Sequence, residues 1–219
     1  QISNLTQTNV YFALGVPFER VWLDKFQSMN PTMRIVHTEE GIDKLALPTS
    51  YEFHEQEQKP EEHSHEGIKD PHIWLSPPLV KQQAHNMCRA LQDLDPKNAS
   101  VYQDNLSAFL RQIVSLPSKL QNLLAPVQDK SFLVFHPAWG YFAHTYGLRQ
   151  IAVELEGKKP KPSQLGRLIS FAREECFQAI FVQPQFSDKS AQVIAREIGA
   201  QVITADPLAE DWAVNLRRQ

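Results

Sequence analysis

Short runs of β-branched and aromatic residues recur along this chain, separated by segments of helical period, and this alternation constrains the fold more than any other feature. Ile2-Ser-Asn-Leu5 reads as the tail of a helix that leads directly into the apolar run Val10-Tyr-Phe-Ala-Leu14, which Gly15 and Pro17 close. Phe18, Val21, Trp22, Lys25 and Phe26 follow at helical spacing, and Asn30-Pro31 stops that helix before the strand Arg34-Ile-Val-His37. The same rhythm returns beyond Pro126 with Ser131–Phe135, Gln150–Val153, Ala179–Gln183 and Ala200–Thr204, each separated by a helical segment. Strands that alternate with helices in this way pair in parallel, so the expected fold is α/β, with mainly parallel sheets flanked by helices.

Between the two alternating regions the pattern changes. Residues 51 to 69 hold six glutamates and three histidines with almost no apolar residue after Phe53, which reads as a solvated loop. Helical signals resume after Pro77-Pro78 and run to Leu94, ended by Asp95-Pro96, and Asn98 or Ser100 can cap the next helix. Val101, Asn105, Ala108, Phe109, Ile113 and Leu116 repeat at helical steps, and Leu120, Leu123 and Leu124 continue them past Pro117. This is expected to be the longest helix of the chain, kinked where Pro117 removes an interior hydrogen bond. The expected organisation is therefore an N-terminal lobe over 1–97, a long linking helix over 98–125 and a C-terminal lobe over 126–219.

Composition removes several function classes. With 22 basic and 25 acidic residues the net charge is −3 and the signs are interleaved, so there is no basic footprint for a nucleic acid. The longest apolar stretches fall far short of the ~20 residues that cross a bilayer. Cys88 and Cys176 form no CxxC motif and are expected to be small buried hydrophobes. The sequence opens without the charged and apolar regions of a secretory signal.

In parallel α/β sheets, ligands gather at the carboxyl ends of the strands. His136 directly follows Phe132–Phe135, and Asp206 follows Val202–Thr204 within two residues. His72, in Asp70-Pro-His-Ile-Trp-Leu-Ser76, lies in the loop before the first-lobe helix and can face them across a cleft. Two imidazoles and a carboxylate suit a first-row divalent cation, and the nitrogen share favours Zn2+ over Mn2+. The spacing alone leaves the alternative of ordinary structural histidines open.

Several segments together carry a resemblance. Asp70-Pro-His-Ile-Trp-Leu-Ser-Pro77, His136-Pro-Ala-Trp-Gly-Tyr-Phe142 with Tyr146-Gly-Leu148, Gln183-Pro-Gln-Phe-Ser187 and Asp206-Pro-Leu208 occur in the order and spacing of the TroA-like, ZnuA-type metal-binding proteins. Gly15-Val-Pro-Phe-Glu19 with Trp22-Leu23, Tyr102 to Asn105, and Glu156-Gly157 leading into Pro162-Ser-Gln-Leu165 extend the match over almost the whole chain. The resemblance implies two α/β lobes bridged by a long backbone helix, with one metal held in the interlobe cleft by His72, His136 and Asp206. It implies a non-enzymatic, monomeric solute-binding protein that captures metal with high affinity and delivers it to an ABC-type permease. The expected location is the periplasm, or the outer surface under a lipid anchor. Zinc-binding relatives place a histidine where manganese-binding ones tend to place a carboxylate, so His136 favours zinc. Because imidazoles bind metal unprotonated, affinity is expected to fall as the pH drops.

The sequence departs from that pattern at its beginning. Relatives carry a further metal-binding histidine ahead of the helix entered here at Gln1, so the N-terminal lobe is expected to be incomplete at its start, and the chain's end is expected to be short as well. Glu154, after Ile151–Val153, is a weaker candidate for the remaining ligand position, against its reading as a solvated strand-end charge. His54, His63 and His65 resemble a sparse version of the histidine-rich loop of zinc-binding relatives, an auxiliary collector of the metal or an inert insertion. His85 and His144, within helices, are read as packing or surface residues, and His37, at a strand end, as structural. Two rival functions are a zinc metallohydrolase, for which no HExxH or GxSxG constellation is present, and an adhesin, a role described for some relatives.

Overall fold

Val10–Ala13 (β1) and Arg34–His37 (β2) pair in parallel, Val10 beside Arg34 through Ala13 beside His37, with the helix Pro17–Met29 (α1) as the crossover. The computed structural model that reveals this pairing describes residues 2–48, 68–155, 157–158 and 160–218. Its chain divides into two compact units, Gln1–Lys44 with Ser76–Lys119, and Leu45–Leu75 with Leu120–Gln219.

In the first unit, Pro17 opens α1 with its backbone angle already helical. The buried carboxylate of Glu19 accepts hydrogen bonds from the backbone N–H groups of Leu14, Gly15 and the N-cap residue Val16 at 3.0, 2.6 and 3.0 Å, pairing the donors of the loop that leads from β1 into α1. At the other end, Asn30 donates its side-chain amide to the carbonyls of Leu5 and Thr8. The residues before β1, expected as a helix tail, form a 3-10 helix over Ile2–Gln7.

Pro77–Leu94 (α2) packs beside Ala99–Ile113 (α3), and Leu116–Leu124 (α4) follows. The long segment expected over 98–125 is thus two helices, broken at Val114 and Ser115. Pro117 explains the break, since it cannot donate to the carbonyl of Ile113; the 18-residue α2 is therefore longer than the 15-residue α3. The chain passes from the first unit to the second within α4, between Lys119 and Leu120.

The second unit holds a four-stranded parallel sheet in the order β4-β3-β5-β6, made by Ser131–Val134 (β3), Arg149–Ala152 (β4), Ala179–Val182 (β5) and Gln201–Thr204 (β6). Gly140–Tyr146 (α5), Pro162–Glu174 (α6), Lys189–Ile198 (α7) and Trp212–Arg218 (α8) complete it. Alternation along the strands sends Leu133, Ile151 and Ile180 to one face, where they meet Leu168 and Phe171 of α6 and Ile194 of α7 in one buried core. Among the described residues no helix is long and apolar enough to cross a membrane.

Because every strand of this sheet runs the same way, the segments after β3, β4, β5 and β6 emerge along one edge. The connection leaving β3 turns one way along the sheet and the connection leaving β5 the other, so the topological switch point lies between them. His136 sits on one side of it and Gln185 and Phe186 on the other.

Candidate metal centre

The turn that carries His72 is fixed by Asp70. Asp70 is buried, 3% exposed, and its Oδ1 accepts the backbone N–H of His72 at 2.9 Å and stands 2.7 Å from His72 Nδ1. Pro71 between them restricts the backbone, and the chain continues as a 3-10 helix over Ile73–Leu75 whose Ile73 and Leu75 are fully buried. Tyr141 of α5 anchors the turn from below. Its hydroxyl donates to the carbonyl of Asp70 at 2.8 Å and accepts from the backbone N–H of Leu45 at 3.0 Å. Burial pushes the Tyr141 phenol up to about 12, and the nearby Asp70 charge adds to the shift against the lowering effect of the Leu45 bond. Gly140 allows the close approach, since a Cβ there would stand 2.7 Å from Asp70 Oδ2.

His136 leaves β3 through a tight turn in which Ala138 donates to its carbonyl. Its Nδ1 makes a very short hydrogen bond to Oε1 of Glu154, which follows β4 and whose backbone N–H donates to Phe135. Glu154 is 8% exposed, so it is a buried partner of an imidazole and not the solvated strand-end charge expected from sequence. Phe186, after β5, stacks on the His136 ring at a centroid distance of 5.7 Å.

The structure brings His72 and His136 together. Their rings lie edge to face, 5.3 Å between centroids, with side chains 13% and 23% exposed. Both belong to the second compact unit, as does Asp206, so His72 is not carried by the unit of the helix that follows it. In each histidine Nδ1 faces a carboxylate, an arrangement that favours the Nδ1–H tautomer and leaves Nε2 with its lone pair available. A carboxylate behind the imidazole also makes Nε2 a better electron donor, the usual support of a metal-binding histidine.

Asp206 is placed differently. Its Oδ1 accepts from Gln185 Nε2 at 2.8 Å and from the backbone N–H of Leu208 at 2.9 Å. Among the described residues, no group of three or more histidine, cysteine, aspartate or glutamate side chains is gathered closely enough to hold a metal ion. His54, His63, His65 and Glu156 lie outside the described residues. His85 and His144 are exposed on α2 and α5, while His37 is exposed and pairs with Glu39 at 3.2 Å. Cys88 is buried as expected, whereas Cys176 is exposed, because it stands in the turn that follows α6, with φ +54°.

Sequence reasoning did not assign a role to Asp70, Gln185 or Phe186. The Asp-Pro-His spacing was a usable signal for the first, because an aspartate two residues before a histidine can accept that residue's N–H. Gln185 and Phe186 stood in the family-like segment Gln183-Pro-Gln-Phe-Ser187, but their partners, Asp206 and His136, are brought near only by strand order.

Comparison with known proteins identifies the fold and the family. The model of the ZnuA family, described as the periplasmic component A of a zinc-uptake complex, matches residues 1–215. The chain belongs to this family. It is similar to the high-affinity zinc uptake system protein ZnuA of Bacillus subtilis, 31% identical over 134 residues, an alignment that covers 60% of this chain and 42% of that protein. The chain thus spans less than half the length of that curated relative. A crystal structure of ZnuA is 39% identical with a TM-score of 0.87, covering 100% of this chain and 79% of that one. A zinc-bound deletion mutant of ZnuA, lacking residues 138–173 of its own sequence, matches with the same identity and TM-score over 78% of its chain. The α/β architecture with parallel sheets, flanking helices and joined long helices is therefore the ZnuA-like fold.

Proposed function

We propose that this chain captures Zn2+ and passes it to an ABC-type permease in the membrane, acting as a monomeric periplasmic binding protein without catalysing a reaction. The zinc donors in this reading are Nε2 of His72, Nε2 of His136 and the carboxylate of Asp206, with Asp70 and Glu154 orienting the two imidazoles. One observation carries it: two imidazoles face each other at 5.3 Å, each with its Nδ1 held by a carboxylate. Nitrogen donors favour zinc over manganese, which prefers oxygen-rich shells. Membership of a family described as a component of zinc uptake supports the cargo and the permease partner alike. Glu154, whose Oε1 is already committed to His136, serves better as the orienting group than as a ligand. His54, His63 and His65 remain auxiliary collectors in this scheme.

Calorimetric titration of the metal-stripped chain with Zn2+ and with Mn2+ tests it. One tight zinc site is expected, with weaker manganese binding, and loss of that site in His72→Ala and in His136→Ala. A tight zinc site that survives both substitutions overturns the assignment.

A further inference from the structure

Three side-chain hydrogen bonds close a ring around the proposed zinc donors. The indole N–H of Trp74, two residues beyond His72, donates to the carbonyl of Pro207, directly after Asp206, at 2.9 Å. The indole N–H of Trp212 on α8 donates to the carbonyl of Trp74 at 2.7 Å. The side-chain amide of Asn215, on the same face of α8, donates to the carbonyl of Asp206 at 2.6 Å. The histidine turn, the aspartate loop and α8 are thus each bonded to the other two. Trp74 also touches the metal-binding candidate itself, its ring edge-on to His72 at 5.2 Å between centroids.

A triangle of bonds fixes distances that a chain of bonds does not. Any one bond alone would let the turn pivot against the loop, while three remove that freedom. Metal sites depend on such support, because donors must be held within about 0.5 Å of their working positions. We propose that Trp74, Trp212 and Asn215 are positioning residues that set the separation of His72 from Asp206, with Trp74 as the member in contact with the imidazole. This inference rests on the reading of His72 and Asp206 as zinc donors.

Trp74→Phe and Trp212→Phe each keep one aromatic ring and remove the indole N–H together with the second ring, whereas Asn215→Ala removes its bond with no aromatic change. Zinc affinity is measured on the metal-stripped chain by competition with a chromophoric chelator, and Co2+ is added separately to read the geometry of the site from its visible absorption. Each variant is expected to bind zinc ~10-fold more weakly, the usual loss on removing an outer support of a metal ligand. The Co2+ bands shift, while the circular dichroism of the metal-free chain stays as in the native protein and its melting remains one cooperative transition. The Trp74→Phe/Trp212→Phe double variant is expected within about twofold of the weaker single one, since a ring opened once has already lost its constraint. Losses that multiply in the double variant, or unchanged affinity and Co2+ bands in both single variants, overturn the inference. Asn215→Ala opens the ring without altering an aromatic side chain and decides the matter by the same readings where an indole variant fails to fold. His72→Ala separates the two levels: if it abolishes binding while the ring variants do not, only the ring is wrong. If it binds zinc as the native chain does, the zinc site itself is wrong and the ring falls with it.

Discussion

Tyr141 and Tyr146 lie on the same short helix, both buried and both with phenols pushed by burial to about 12, yet their hydroxyls have opposite circumstances. Tyr141 bridges Asp70 and Leu45, whereas the Tyr146 hydroxyl is buried and finds no hydrogen-bond partner among the described residues. A buried unsatisfied hydroxyl costs ~1–3 kcal/mol, while removing a hydroxyl that serves two backbone groups costs a similar amount in the other direction. Tyr146→Phe is therefore expected to raise stability by about 1 kcal/mol and Tyr141→Phe to lower it by about 1–3 kcal/mol, measured by urea unfolding. The pH dependence follows the same groups. A phenol that ionises at 10 in the unfolded chain and at about 12 in the folded one leaves stability at its full value below pH 10, and stability is lost as the pH rises from 10 through 12, because burial penalises the phenolate. The urea midpoint is expected to fall between pH 10 and 12, with a shallower fall in Tyr146→Phe. Glu154 provides the test at the site: Glu154→Gln leaves an oxygen acceptor for His136 but removes the charge, and zinc affinity is expected to drop about tenfold in a calorimetric titration. Unchanged affinity would mean that the carboxylate does not support the imidazole.

At the scale of elements, the signals that worked in the sequence were local ones. β2 at Arg34–His37 lies where expected and α2, expected after Pro77-Pro78, starts at Pro77 itself and ends at Leu94, because a β-branched pair in one case and flanking prolines in the other are read over a few positions. Capping is local too. α7 ends at Gly199 with φ +73°, and Gly199→Ala has open space around its Cβ, so backbone strain alone is expected to cost roughly 1–2 kcal/mol in thermal or urea unfolding. What local pattern could not reveal is the unit to which the His72 turn belongs. It is decided by Tyr141 bonding to Asp70 across 71 residues and Trp74 bonding to Pro207 across 133, pairings that no periodicity encodes. The break between α3 and α4 stands between these cases. Pro117 marked it, but whether the chain would bend or interrupt its helix depends on packing on either side.

For the whole molecule, the chain-wide run of motifs made the family legible, and His136 and Asp206 could be nominated as donors because ligands collect at strand ends in a parallel sheet, whereas His72 was nominated from its loop before α2. The carboxylates behind the imidazoles and the ring through α8 were not, since they require the order β4-β3-β5-β6 and the placement of α8 to be known first. The central claim is that this scaffold presents Nε2 of both histidines to one zinc ion. Anomalous diffraction at the zinc edge from zinc-loaded crystals of the chain tests it most directly. The account predicts a single strong peak with Nε2 of His72 and Nε2 of His136 about 2.0–2.1 Å away and the Asp206 carboxylate beside them. A peak bonded through Nδ1, or one that lies away from these two histidines, would contradict it.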